Sequence, residues 1–172
     1  MMIGNQSSFA IECHHEPLPN LTRRVFGRMC LWVGGVALGD IDEPACMLNV
    51  TEGVLANKLA RLGDLDDPSL HGLSDRETFE FLDRVLYRDY GQSTEQLAED
   101  SKRYFRFDFL TNGGESFDRT QSFIRTEGDR VVLMFKNDAN EFHSLRVPLE
   151  TFLPVIRDFL QWLSDEGRGL AN

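Results

Sequence analysis

The sequence predicts an α+β fold. A mainly antiparallel sheet, made of an N-terminal hairpin and a C-terminal meander, is expected to be packed by central helices and a C-terminal helix. Residues 25–40 contain two apolar runs separated by a glycine pair, residues 50–103 repeat apolar side chains at helical spacing, and residues 121–147 contain short apolar runs separated by turns. Strands followed by helices and then by strands again are typical of α+β proteins.

The N-terminal hairpin is the best-defined element of the predicted sheet. Gly34 and Gly35 can take the positive φ angles that a two-residue hairpin turn requires. Residues 29–33 are apolar on both faces, which predicts a central strand. Residues 8–13 predict a first strand, and Pro19 and Asn20 predict a turn that leads from it to the hairpin.

Three helices are predicted between the hairpin and the meander. Asn49 and Glu52 have capping-box spacing at the start of a helix over residues 50–62, and Ser74 has Glu77 at the same spacing before a helix that runs to residue 88. Residues 91–103 predict a third, short helix with few apolar anchors.

The C-terminal part predicts strands and one long helix. Alternation of Phe105, Phe107 and Phe109 with polar residues predicts a strand over residues 104–109. Strands over residues 121–126, 130–136 and 142–147 follow as a meander. An apolar stripe over residues 149–163 predicts a helix, which Pro154 should kink or restart.

Length and composition favour one cytoplasmic domain. A chain of 172 residues with 41% hydrophobic residues can bury a core as one domain spanning residues 1–172. We expect a soluble chain with no membrane span and no secretory signal. Cys13, Cys30 and Cys46 lie far apart in apolar surroundings, which predicts buried free thiols in a reducing compartment.

The negative charge is concentrated in the middle of the chain. Residues 40–100 carry 15 of the 28 acidic residues and 5 of the 18 basic ones, so this region accounts for the whole net charge of −10. Binding to a nucleic-acid backbone needs clustered Lys and Arg and is therefore not expected. The charge instead favours a basic protein partner.

No motif predicts a catalytic residue, a cofactor or a metal. His14 and His15 are adjacent on a strand and would point to opposite faces, so they cannot converge on a zinc ion. Asp64, Asp66 and Asp67 have a likeness to a calcium loop, but the glycine turn and the closing glutamate are missing. A solvated acidic loop fits these residues better.

Two groups of residues, one at each end of the chain, carry a family resemblance. They are Ile3-Gly4, Ser8-Phe9-Ala10-Ile11-Glu12, Phe26-Gly27, Trp32-Val33 and Leu38-Gly39-Asp40, and then Val147-Pro148-Leu149-Glu150, Phe152, Phe159-Leu160 and Trp162-Leu163. In these residues the chain resembles the family-42 immunity proteins of bacterial polymorphic toxin systems. The resemblance implies a cytosolic, non-enzymatic protein that binds and blocks a cognate toxin domain delivered by a neighbouring cell.

The acidic middle region is the expected toxin-facing surface. We take Asp64, Asp66, Asp67, Asp75 and Glu80 as its most exposed members. A patch of one charge sign speeds the encounter with an oppositely charged partner. The alternative is that these residues form a solubilising face without a partner.

A second function class stays open at this point. A small-ligand-binding or enzymatic domain would place a pocket against the sheet, where Glu12, His14, Asp108 and His143 could converge from different strands. The oligomeric state is not predicted.

Overall fold

The computed structural model describes residues 1–17 and 24–169, so the turn predicted at Pro19 and Asn20 lies outside the described residues. The α+β class is confirmed, and the strands are divided between two antiparallel sheets. The strands are β1 Met2–Asn5, β2 Phe9–His15, β3 Phe26–Val33, β4 Val36–Leu38, β5 Cys46–Met47, β6 Gln121–Glu127, β7 Arg130–Lys136 and β8 Phe142–Pro148. The helices are α1 Leu48–Ala60, α2 Asp75–Tyr87, α3 Thr94–Tyr104 and α4 Leu149–Gly169.

The first sheet is built around β3, as the sequence predicts. Its strand order is β1-β2-β3-β4, and β5 pairs with the start of β3. Gly34 and Gly35 have φ angles of 62° and 82°, which confirms the two-residue turn between β3 and β4. One face of this sheet, which includes Phe9 and Leu31, is fully buried.

The second sheet consists of β6, β7 and β8, and its centre strand β7 is buried on both faces. Opposed residues share a face, so the row Phe123–Met134–Ser144 points one way and the next row, Ile124–Leu133–Leu145, points the other. Residues 131–135 of β7 are all buried. The predicted meander is therefore confirmed, and each of its faces needs a cover.

Helix α2 covers one of these faces. Ser74 and Glu77 form the predicted capping box, in which each side chain bonds the backbone of the other residue. Phe79 of this helix packs edge-on against Phe123 and Phe142, with ring centroids 5.1 and 5.4 Å apart.

The capping box predicted for α1 is wrong. The helix begins at Leu48 after Met47, which makes no side-chain cap bond. The Asn49 side chain instead accepts a hydrogen bond from the Val25 backbone and donates one to Glu52. Asn49 therefore makes a long-range contact with Val25 instead of the helix cap that the local pattern predicts.

Helix α4 packs against the first sheet and also contacts β7 and β8. It is one continuous helix with Pro154 inside it, so the predicted restart is not seen. Proline at this place removes the hydrogen bond to the carbonyl of Glu150, an exposed residue in the first turn of the helix. Among the helices of the described residues, none combines the length and the apolar character needed to cross a membrane.

The strand predicted over residues 104–109 is wrong. Helix α3 continues through Tyr104, a 3₁₀ turn spans Phe105–Phe107, and only Asp108 makes an isolated bridge to Phe123. Phe107 and Phe109 are buried, whereas Phe105 is 50% exposed. The alternating phenylalanines therefore do not mark the two faces of a strand.

The core joins the two sheets through aromatic side chains. Phe152 of α4 is fully buried, and its ring lies 5.0 Å from that of Phe9 and 6.5 Å from that of Phe109. The three cysteines are buried free thiols, as predicted. Burial raises the pKa of Cys13 and Cys30 to about 12, so these thiols are poor nucleophiles.

We predict that Phe152→Ala lowers the free energy of unfolding by about 3–5 kcal/mol, because it leaves a cavity where three rings meet. Leu97→Ala is the control: Leu97 is 45% exposed on α3, and its truncation should cost less than about 0.5 kcal/mol. Urea denaturation measures both values. Equal effects of the two substitutions would contradict the packing described for Phe152.

Candidate functional site

A cleft of about 1050 Å³ lies between the loop that precedes α2 and the β6–β7 turn. We call it the acidic cleft, and it is lined by Asp66, Leu70, His71, Gly72, Leu73, Ser74, Asp75, Glu77, Arg125, Thr126, Glu127, Gly128 and Arg146. The backbone bond from Thr126 N to Leu65 O, 2.8 Å long, ties the loop to β6. The capping box at Ser74 then turns the chain into α2.

Asp75 joins the walls of the cleft. Its carboxylate accepts hydrogen bonds from Arg146 at 2.8 and 3.1 Å and from Arg125 at 3.2 Å. Arg146 also donates to Glu127 at 2.8 Å. Burial raises the pKa of Asp75, but the hydrogen bonds from Arg146 and its other donors outweigh this effect, so the pKa lies below its usual value.

Asp67 lies behind the cleft and is 5% exposed. It accepts hydrogen bonds from Arg103 at 2.7 and 3.1 Å, from Arg106 at 2.7 Å and from the backbone and hydroxyl of Ser69. The bond from Arg103 is the main reason why the pKa of Asp67 is well below its usual range. This carboxylate therefore fastens the loop to the end of α3.

The five predicted site residues fall into two groups. The side chains of Asp64 and Asp66 are each 59% exposed, and Glu80 is also exposed. The predicted exposure is wrong for Asp67 and Asp75, because arginines distant in the sequence bury and neutralise both carboxylates. The structure brings Asp66 and Asp75 together in the acidic cleft, while Asp64 and Glu80 are not among its lining residues.

Sequence reasoning missed other members of the cleft. The sequence predicts only a capping role for Glu77, and Glu127 lies just outside the predicted strand over residues 121–126. Arg125 and Glu127 occupy alternate positions on β6 and therefore share a face. This spacing was a usable signal for one wall of the cleft.

The alternative ligand pocket does not form from the four residues proposed for it. Among the contacts of the described residues, only Glu12 and His14 touch, at 3.4 Å, and Glu12 also accepts a hydrogen bond from Trp32. Asp108 instead accepts a bond from the Tyr87 hydroxyl. His143 lies beside Asn137 on the other sheet.

A buried cation lies near Asp108. Lys58 of α1 is 8% exposed, and its Nζ donates a hydrogen bond of 2.7 Å to the carbonyl of Arg106. Burial lowers the pKa of Lys58 to about 8, although the Asp108 carboxylate opposes this change. Within the part of the chain that the structure describes, no cluster of three or more His, Cys, Asp or Glu side chains could hold a metal ion.

Comparisons with known proteins point to one kind of protein. The family model described as immunity protein 42 matches residues 1–162. The crystal structure of CdiI from Burkholderia dolosa AUO158 superposes with a TM-score of 0.68 at 18% sequence identity, covering 94% of this chain and 99% of that chain. The second match is a likeness of fold. No curated protein gives a significant match.

We predict that Asp67→Asn lowers the free energy of unfolding by about 2–4 kcal/mol at neutral pH, because two arginines lose their buried partner. The folded-state pKa of Asp67 is lowered, so its contribution is complete above the unfolded pKa of about 3.9 and disappears as the pH falls toward the folded value. Urea titrations of both proteins from neutral pH into the acid range measure this. A stability difference that stays constant as the pH falls would contradict the ion pairing.

For Lys58 we predict a pH dependence of the same sign in the alkaline range. Because its folded pKa is about 8 and its unfolded pKa is 10.5, the unfolded chain binds more protons between these values, and stability rises with pH across this window. The unfolding free energy of the wild type relative to Lys58→Met should rise by about 2 kcal/mol from pH 7 to pH 10. Taking the difference cancels the titration of the thiols. A flat difference would show that Lys58 is not desolvated.

Proposed function

The chain belongs to the immunity protein 42 family and thus binds and neutralises a cognate bacterial toxin domain, and we propose that it does so without catalysis, by docking a basic toxin surface at the acidic cleft. The observation that carries this proposal is the cleft itself, which combines about 1050 Å³ of open space with four carboxylates. Only two arginines line the same space.

Exposed carboxylates, of which Glu127 is already paired with an arginine, lie around the cleft. Asp66 and Glu127 have side chains that are 59% and 48% exposed, and Glu77 and Glu80 are exposed on the first turns of α2. Glu80 has no ion pair among the described residues. These carboxylates can meet Lys or Arg side chains of a partner, whereas Asp75 is already neutralised by its arginines.

The ion pairs in and beside the cleft support a binding role. Asp75 holds Arg125 and Arg146, and Asp67 holds the loop on the other side. A surface fixed in this way before binding loses little conformational entropy when the partner arrives. The exposed carboxylates on it attract a basic partner and raise the association rate.

A non-enzymatic mechanism fits these groups. Blocking a toxin by binding requires no nucleophile, metal or general base. The thiols are buried with raised pKa values, and the four groups suggested for a catalytic pocket are held by separate partners. The proposal therefore assigns the neutralising effect to occupation of the toxin surface.

The proposal includes the compartment and the domain organisation. Buried free thiols suit a reducing cytoplasm, where we place the encounter with the toxin. One cluster of buried side chains includes residues of both sheets and of α4, which supports treating residues 1–172 as one domain.

We predict that Asp66→Lys, Glu127→Lys and Glu80→Lys together, called the cleft variant because Asp66 and Glu127 line the cleft, reduce the association rate with the toxin domain by roughly 10-fold or more at low salt. The partner is first obtained by affinity capture from the native host with the tagged wild-type chain, and its toxin domain is then purified in an inactive form. Surface plasmon resonance at several salt concentrations gives the rates. The wild-type rate should fall steeply with salt, and the variant rate should depend on salt much less.

The control has the same change in charge elsewhere. Asp138, Glu141 and Asp158 are exposed and do not line the acidic cleft. Reversing these three to Lys should lower the rate much less than the cleft variant. Equal losses in both variants would show that only net charge matters, and no loss in either would remove the acidic surface from toxin binding.

A further inference from the structure

A second opening, of about 540 Å³, lies between α1 and the segment that joins α3 to the following 3₁₀ turn. We call it the basic groove. Its lining residues are Val50, Gly53, Val54, Asn57, Lys58, Arg61, Ser101, Lys102, Phe105, Arg106, Asp108 and Asn112. Unlike the acidic cleft, it contains four cationic side chains and one carboxylate.

The cations of the groove are not equally available. Arg61 pairs with Asp64 and Arg106 pairs with Asp67, while the Nζ of Lys58 bonds a backbone carbonyl. Lys102 is exposed and makes no ion pair among the described residues. An ammonium group beside paired guanidinium groups is a favourable site for a carboxylate that comes from outside the chain.

The groove also has an apolar wall. Phe105 is 50% exposed, one of the few large apolar side chains of the described residues with that much surface in water. Val50 and Val54 of α1 are half-buried on the opposite side. An exposed aromatic ring between basic groups has the composition that dominates the energetics of protein interfaces.

Besides Lys102 and Phe105, Gly53 also indicates that a partner approaches this wall of the groove. It lies inside α1, where glycine costs about 1 kcal/mol relative to alanine. A Cβ atom at Gly53 would meet no atom of the chain within 4 Å. Packing within the chain therefore does not require this glycine, but the close approach of a partner's side chain to the helix would.

We propose that the basic groove is a second contact for the toxin, and that it binds an acidic segment of the toxin in which an apolar side chain neighbours the carboxylate. The carboxylate would lie at Lys102, and the apolar side chain between Phe105 and Gly53. This inference rests on the function proposed above, and it adds a contact of the opposite charge.

The position of the groove supports a shared footprint with the cleft. Asp66 lines the acidic cleft, and its neighbour Asp67 binds Arg106, which lines the groove. The two openings are therefore joined through one loop. A toxin surface with a basic and an acidic region side by side would fit both.

The test uses the purified toxin domain and three variants in the groove. Lys102→Glu should reduce the association rate roughly 10-fold, and Phe105→Ala should raise the dissociation rate roughly 10-fold. Lys102→Arg keeps the charge and should bind like the wild type. Both positions are exposed, so circular dichroism and urea unfolding should show folded proteins of unchanged stability.

Matched controls lie outside the groove. Arg157 is exposed on α4 and Leu97 is exposed on α3. Arg157→Glu and Leu97→Ala repeat the two changes in chemistry and should leave both rates within about two-fold of the wild type, as expected for substitutions outside the interface. Losses equal to those of the groove variants would overturn the proposal.

A zero-length carbodiimide cross-link tests the acidic partner directly. This reagent joins an amine to a carboxylate, so mass spectrometry of the treated complex should find Lys102 bonded to an Asp or Glu of the toxin. The cross-link should vanish in Lys102→Arg while affinity is kept. A complex that never yields this cross-link, together with wild-type binding by Lys102→Glu, would overturn the proposal.

Two further results would distinguish this proposal from the alternatives of an interface at the acidic cleft alone and of a small-anion site. Slow association of the cleft variant with normal binding by Lys102→Glu and Phe105→Ala would leave the acidic cleft standing and remove the groove. Inorganic phosphate that raises the melting temperature of the wild type but not of Lys102→Glu, while toxin binding is the same in both, would identify a small-anion site instead and overturn the toxin contact.

Discussion

The centre strand of the second sheet, β7, is apolar on both faces, and this constraint positions the elements around it. The strand has five successive buried residues, so water must be excluded from both sides. Helix α2 covers one side, and α4 contacts the sheet as it crosses to the first sheet. Moving either helix away would expose the part of β7 that the helix contacts.

The acidic cleft follows from the strand register of this sheet. Phe123 packs against Phe79, and the next position on the same face of β6 is Arg125. Arg125 lies in one row with Val132 of β7 and Arg146 of β8. Asp75 precedes Phe79 by four residues and so stands one turn earlier on the same side of α2. The contact between Phe79 and Phe123 therefore positions Asp75 against the arginines of the sheet, and this ion pair forms part of the cleft wall.

The elements with strong local signals could be predicted from the sequence. The Gly34-Gly35 turn, the Ser74 capping box and the meander each depend on residues a few positions apart, and all three are confirmed. The strand expected at residues 104–109 failed because a period of two also occurs by chance across a helix end. There, Arg103 and Arg106 bind Asp67 across 36 and 39 residues.

The sequence predicts the candidate site only as a region of negative charge. Counting acidic residues located the correct region but could not separate Asp66, which is exposed, from Asp67, which is buried. The difference comes from arginines far along the chain, and no spacing rule connects them. The basic groove gave no sequence signal, because its cations come from two distant segments, residues 58–61 and 102–106, and meet only in the fold.

Charge of both signs at one surface can favour one orientation of a partner, which net charge alone cannot do. The net charge of −10 acts beyond contact distance and draws a basic partner in, but salt screens it within about 8–10 Å. At shorter range, the positions of the individual charges decide which orientation of the partner is favourable. A toxin that docks with its basic region at Asp66 and its acidic region at Lys102 gains from both, whereas the reversed orientation places like charges together at both openings and is disfavoured. Asp67 ties the loop between the two openings to Arg106, so the two proposed contacts would select the orientation of the toxin as well as its charge.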